Sequence, residues 1–564
     1  MSDERPTGHR LLREALLLGL VLGVGLGDVL LGLNPHLLHP LAALRLLAGA
    51  ALLGVVLTSP LLLIRSRDLA GPSRSALHFL VLQATLLALF AEAQRGAYYP
   101  YLYNGARRVL VATSVAAALA GVGGLLALVA RPRRLTVTCV LSGATLILLL
   151  PAFVGRKEHE RMGLASPPRV ARTATRSLLV IGLEGVSWDV VSRGASEGWL
   201  PVLARLLKDG AGGPLESLSP HDRAALWMTA ATGKMPVKHD VLSEGLYETP
   251  LGDLRLLPWV PGASPLRAFP LSRFVPRSDA RKSLAFWEIL AARGHEAAVL
   301  GWPASRPARD GLVLWATEAL FDGDLGPEAA RPRAAAERAL LFRVQVPHLD
   351  RFLVGSLTPE GLPAPDRAAI LAGAARDLTV EGATLGAVTA GQGSLSALVL
   401  SGFRQAARTL GPAAEPARYW GLAPSHSEPR EKALRAYYRL LDDVLSDLLE
   451  REGRDRTVCL FSPVGYGPPP PLTSFFRFAF GKGPEASPDA SRDGLLILHG
   501  SGIRSGVRLT SASVLDLAPT LLVLAGEPIA RDMDGRVLAE AFDERLSGSA
   551  SIPIVTSFEP GGPQ

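Results

Sequence analysis

The chain has 564 residues, 48% of them hydrophobic, with a formal net charge of +7 and a mean hydropathy of +0.24. That length exceeds one compact domain, and the apolar excess sits in the first ~155 residues, where acidic side chains are few, which excludes a wholly soluble single domain. The positive charge is arginine beside apolar runs, not a basic stripe interleaved with aromatics, so nucleic acid is excluded as a partner.

Residues 1–11 read as a cytoplasmic tail and 12–155 as a five-helix transmembrane region. Five apolar runs, at 12–33, 41–64, 76–93, 109–130 and 135–154, reach the ~20 residues that a helical span needs. The first is too long, and too soon followed by the second, for a cleaved signal peptide. Arg5, Arg10 and Arg13, then Arg65, Arg67 and Arg74, then Arg131, Arg133 and Arg134 flank alternate ends of the runs, while the loop 34–40 has no arginine or lysine. This bias predicts a cytoplasmic N-terminus, and five crossings then place everything after Val154 outside the cell membrane. The third loop carries Arg95, Arg107 and Arg108 beside Tyr98, Tyr99, Tyr101 and Tyr103, which read as an interfacial belt, and Arg156 and Lys157 run against the bias. Asp28 and Arg45 fall inside spans at similar depth. They predict an ion pair across a helical hairpin, or, with Glu92, the lining of a substrate or proton path. Neither Cys139 nor Cys459 suggests a bridge or a thiolate metal site.

Residues 156–177 are rich in Pro, Arg, Thr and Ser without periodicity and read as a linker. From Leu178 short apolar runs (178–183, 297–300, 395–400, 457–461, 494–498) alternate with amphipathic helices (200–207, 285–292, 437–449, 513–524). Such alternation predicts an α/β domain over 178–545, with a mostly parallel sheet and helices on both faces. The stretch 546–564 reads as a flexible tail. Ligands of such sheets gather at the carboxyl ends of strands, which points to Glu184-Gly185 and to Ser462–Gly467.

The motifs in this region carry a resemblance. Val180-Ile-Gly-Leu-Glu-Gly-Val-Ser-Trp-Asp-Val, Leu200-Pro201 through Gly210, Trp227 through Thr232-Gly233-Lys234 to His239, and Ser513 through Asp516, Pro519 and Asp532-Met-Asp-Gly-Arg536 occur in the right order. Together they resemble the type I phosphodiesterase/nucleotide pyrophosphatase branch of the alkaline phosphatase superfamily. The unmatched insertions are 242–282 and 304–393. The resemblance implies an alkaline-phosphatase-like α/β fold, behind an all-α five-helix membrane region. It also implies two divalent metals, usually zinc, held by Asp and His, with a Ser or Thr alkoxide attacking phosphorus between them.

At the corresponding positions the chemistry is missing. Glu184 falls where the first Asp ligand belongs, and Arg223 holds the nucleophile position. Gly402 through Arg408 offers neither Asp nor His, Pro463 and Val464 replace a ligand pair, and Ala490 or Ser491 stands where a late His belongs. The metal-site positions Glu184, Pro463 and Val464 thus retain one carboxylate. No cofactor is expected, and a Glu184–Arg223 ion pair is expected in the metals' place. Candidate ligand-binding residues are Glu184, Arg223, His221, Asp222, Arg404 and His499, with Arg408 completing an anion pocket beside Arg223 and Arg404. His239 reads as a core or turn residue. The expected function is a membrane-anchored, outward-facing pseudohydrolase of the bacterial cell envelope. Its expected partners are the lipid bilayer and an envelope protein or anionic small molecule. Two alternatives stand: an active divalent-metal phosphodiesterase with a rebuilt site, and a transport or proton-path role for the helices.

Overall fold

The computed structural model describes residues 8–65, 72–130, 134–154, 176–243, 246–249, 252–257, 272–274, 281–388, 394–414, 427–452, 456–469, 474–475, 479, 486, 493–547 and 552–559. The chain divides into two compact units, one of Met1–Arg161 with Gly245–Phe274, the other of Met162–Glu244 with Val275–Gln564. Gly245–Phe274, inside the span that the sequence assigns to the α/β domain, thus groups with the helices.

In the first unit, α1 (Gly8–Leu33), α2 (Pro40–Arg65), α3 (Pro72–Ala97), α4 (Asn104–Val129) and α5 (Arg134–Leu149) follow one another. Five helices are long and apolar enough to cross a membrane, over Leu12–Leu33, Pro40–Thr58, Arg74–Ala97, Asn104–Val129 and Thr136–Phe153. Small residues let α1 lie against α2: a Cβ on Gly23 would stand 2.2 Å from the Ala50 carbonyl oxygen, too close for any side chain. The outward leucines and valines of α2 to α4, such as Leu52, Leu86 and Leu126, are exposed, as helices crossing a membrane would require.

The expected Asp28–Arg45 pair is absent. Gly19, Gly23 and Gly27 turn one face of α1 to α2. Gly25 meets Leu87 of α3 and Gly32 meets Leu110 of α4. Asp28, one turn from each of these two, therefore lies on the face away from α2. Its side chain is fully buried, neither oxygen has a hydrogen-bond partner among the described residues, and Arg45 is exposed. Glu92 takes no part either. It is half exposed and paired with Arg95 on its own helix, Arg95 Nε lying 2.9 Å from Oε2.

Residues 246–249, 252–254 and 272–274 form a three-stranded antiparallel sheet that belongs to this unit. The link is Asn34, fully buried after the last turn of α1. Its Nδ2 donates to the Leu256 carbonyl (2.8 Å), and its Oδ1 accepts from the amides of Arg255 (2.6 Å) and Leu256 (3.0 Å). Tyr98 donates to the Leu257 carbonyl at 2.6 Å. The hairpin is thereby fastened to the first and third loops of the bundle.

The second unit is built on β1 (Leu178–Leu183), β2 (Ala211–Glu216), β3 (Ala297–Trp302), β4 (Leu314–Thr317), β5 (Ala330–Arg331), β6 (Leu395–Leu400), β7 (Thr457–Ser462), β8 (Gly494–His499) and β9 (Val507–Arg508). Their order is β9-β2-β8-β7-β1-β6-β3-β4-β5, with Ala512–Ser513 beside β2. β7, β1, β6, β3 and β4 run parallel, while β8 is antiparallel to β7 and β5 to β4. Every residue of β1, β3, β6 and β7 is buried, because apolar clusters cover both faces of the sheet. Part of the expected flexible tail is fixed in place. Ile554–Val555 pairs with Ile529–Ala530, and Glu559 accepts from Lys234 Nζ at 2.7 Å. The linker (156–177, apart from its last two residues) and Ala490 and Ser491 lie outside the described residues.

Candidate functional site

The parallel strands deliver their charged residues to one edge. Glu184 follows β1, Glu318 follows β4, and Arg404 lies in the turn after β6, at the start of α9 (Phe403–Ala414). Pro463 and Val464 follow β7, where Gly465 bridges to Gly185. Gly185 adopts φ +95°, a left-handed turn that a Cβ would crowd against Tyr466 at 3.2 Å. Arg223 opens α6 (Arg223–Thr232), and Asp222 caps that helix, its Oδ1 accepting from the Ala225 amide at 3.2 Å.

At the centre is one guanidinium held by two carboxylates. Arg223 Nε and Nη2 donate to Glu184 Oε1 and Oε2 at 2.5 and 2.8 Å. Nη1 and Nη2 donate to Glu318 Oε2 and Oε1 at 2.8 and 2.6 Å. Arg376, on α8 (Ala364–Val388), joins from behind, its Nη2 lying 3.2 Å from Glu318 Oε1 and its Nη1 on Asp322. Arg404 approaches Glu184 Oε1 at 3.6 Å with its side chain 42% exposed, whereas that of Glu184 is 3% exposed. Burial opposes the charge on Arg223, but Glu184 and Glu318 outweigh it and hold the guanidinium above its usual range. Burial likewise opposes ionisation of Glu318, and Arg223 with Arg376 outweighs it, so its carboxyl falls below the ordinary value. Tyr466 stands within electrostatic reach of Glu184, Arg223, Arg404 and Arg408. Burial and the Glu184 charge push its phenol up, so it stays a donor.

The structure thus joins Glu184, Arg223 and Arg404, and adds Glu318 and Arg376, which sequence reasoning passed over because both lie in the insertion 304–393. A signal existed for the first: Glu318 directly follows an apolar strand run, where ligands of a parallel sheet gather. His221 and Asp222 sit next to Arg223, but Asp222 is engaged as a helix cap. His499 is corrected away from the site. It ends β8, which is antiparallel to β7 and pairs His499 with Val458, so it lies at the opposite, amino-terminal edge of the parallel strands. His239 is a buried turn residue as expected. Its Nδ1 accepts from the Val241 amide (3.2 Å), its Nε2 meets Thr229 Oγ1 (3.1 Å), and burial lowers its pKa to about 3.

These residues do not fit the divalent ions that the fold implies. Both oxygens of Glu184 are already taken by Arg223, whose positive charge fills the space between Glu184 and Glu318. Pro463 and Val464 have no side-chain donor. Among the described residues no three His, Cys, Asp or Glu side chains gather as an ion would need.

Fold and site define an alkaline-phosphatase-like α/β domain carried on a chain with five apolar helices. The chain belongs to the type I phosphodiesterase/nucleotide pyrophosphatase family, whose model matches residues 178–470. Solved structures similar to it include a putative sulfatase from Bacteroides thetaiotaomicron (14% identity, 67% of this chain and 76% of that one, TM-score 0.42). A phosphonate monoester hydrolase from Silicibacter pomeroyi is another (15% identity, 67% and 77%, TM-score 0.39). Wild-type alkaline phosphatase PafA is a third (12% identity, 66% and 100%, TM-score 0.41). No curated protein matches the chain.

Proposed function

We propose that this is a membrane-anchored, outward-facing pseudohydrolase that holds an anionic group without cleaving it. One observation carries the reading: the nucleophile position is a guanidinium bound by Glu184 and Glu318. A guanidinium keeps its proton and has no lone pair with which to attack phosphorus. It also supplies the positive charge that carboxylates in this position would otherwise draw from a metal. A divalent ion would have to displace it and leave a buried arginine unpaired, at a cost of several kcal/mol, on the order of a broken buried pair. Arg404 and the Tyr466 hydroxyl, at the rim of this cluster, are the groups that meet the anion.

The outward orientation is supported by the arginines of the N-terminal tail and of the second and fourth loops. The hairpin adds support: it is continuous in sequence with the α/β domain and is held by Asn34 and Tyr98 in the first and third loops. The hairpin is therefore proposed to lie on the side of the bilayer that the first and third loops face, opposite the second and fourth loops. Labelling tests this. A cysteine at the exposed His36 (with Cys139 and Cys459 changed to Ser) reacts with an impermeant maleimide in whole cells, and labelling only after lysis refutes the orientation.

The catalytic alternative is tested on purified full-length protein supplied with zinc. The expected result is no release of nitrophenol from bis-(p-nitrophenyl) phosphate and no loss of Arg404-dependent phosphate binding. Turnover that disappears in Glu184→Gln would establish a rebuilt hydrolase instead.

A further inference from the structure

The insertion 304–393 contributes more than Glu318. Its segment 340–347 is fixed over α8: the Val344 amide donates to Thr379 Oγ1 at 2.9 Å. Gly382 and Gly386 leave a notch for the Phe342 ring, where a Cβ on Gly386 would stand 2.1 Å from the ring. Beneath the segment lies a cavity of about 390 Å³, within the size range of small-molecule sites. Leu320, Phe321, Leu340 and Val346 make its walls apolar, and Arg343 and Arg376 line it as well. The two arginines differ. Arg376 has its terminal nitrogens on Glu318 and Asp322, with Nε buried and unpartnered. The exposed Arg343 guanidinium has no ion pair or hydrogen bond among the described residues. An apolar hollow with one uncompensated cation at its wall complements a molecule with an apolar body and a single anionic head.

We infer that this cavity is a binding site for a small single-chain amphiphile, an alkyl or acyl chain ending in a carboxylate or phosphate, whose head pairs with Arg343 while the chain lies against Phe321 and Leu340. The site is distinct from the Glu184–Arg223 cluster, although Arg376 touches both, and it does not depend on whether that cluster is catalytic.

The test is calorimetric titration of the full chain in nanodiscs with octanoate and with octyl phosphate, subtracting empty nanodiscs and using octan-1-ol as the neutral control. The expected result is saturable binding of at least one anion. Arg343→Gln should weaken it about tenfold, the scale of one charge-assisted contact. Ala372→Trp should abolish it, because Ala372 lines the cavity from an exposed position where an indole fills the hollow without disturbing the core. The stronger of the two anions identifies the head group. No saturable binding, binding unchanged in Ala372→Trp, affinity unaffected by Arg343→Gln, or octan-1-ol binding as tightly as the anions would each overturn the assignment.

Discussion

Arg223 and Asp28 are both ionisable residues withdrawn from solvent, one in each unit, and their surroundings differ completely. Arg223 meets Glu184 and Glu318 through four hydrogen bonds, with Arg376 and Arg404 answering the surplus negative charge. Asp28 is fully buried among helices, with no partner on either oxygen among the described residues. The first is a compensated network, in which each member is held by the others and the loss of one exposes the rest. The second is supported by nothing visible, so replacing it with a neutral amide takes away no contact. The difference separates a charge answered by its neighbours from a buried acid that no side chain answers.

The largest effect should come from breaking the compensated side. Arg223→Ala leaves Glu184 and Glu318 facing each other, and denaturant unfolding should show a loss of about 3–5 kcal/mol. Adding Glu184→Gln and Glu318→Gln should recover part of it. A loss under about 1 kcal/mol would mean that the carboxylates find other partners.

Asn34 sharpens the comparison from within the helical unit, as a buried polar residue that is fully satisfied. Asn34→Ala strands two amides and a carbonyl of the hairpin and should cost about 2–3 kcal/mol. Hydrogen exchange should accelerate at the amides of Arg255 and Leu256, and unchanged protection there would remove the clasp from the account.

Asp377 is intermediate: buried, yet accepting from the Gly402 amide (2.7 Å) and the Tyr437 hydroxyl (3.0 Å). Burial dominates and pushes its carboxyl up from about 3.8 to about 7. A raised carboxyl favours folding while protonated, so its contribution is complete below about pH 3.8 and is lost as pH rises through about 7. Between pH 5 and 8 the melting temperature of wild type should therefore fall relative to Asp377→Asn, by a few °C on the scale of about 2–4 °C per kcal/mol. A constant offset between the two proteins would contradict the shift. The smallest effect belongs to Asp28→Asn, which should leave the stability of the helical unit within about 1 kcal/mol of wild type or above it. A larger loss would reveal a partner for Asp28.

Legibility in the sequence followed the range of the interactions. The five spans depend on local hydropathy, and the strands of the parallel sheet on short apolar runs, so both were readable. Glu184 and Arg223 were found together because each sits in a motif with fixed spacing. Glu318 was missed because it reaches Arg223 across an insertion without motif, and Asn34 because its partners are backbone groups more than two hundred positions away. His499 was misplaced because an apolar run does not reveal strand direction, and direction decides which edge its end reaches. The Asp28–Arg45 pair failed for a related reason: similar depth was readable, but the face that α1 turns to α2 was set by glycine packing.

The account stands most directly on whether cations can replace the guanidinium of Arg223. The decisive measurement is anomalous diffraction at the zinc edge from crystals of the full chain grown with excess zinc. Continuous density joining Arg223 to Glu184 and Glu318, with no anomalous peak between those carboxylates, is the expected result. Two ordered zinc ions there, with Arg223 swung out, would contradict it.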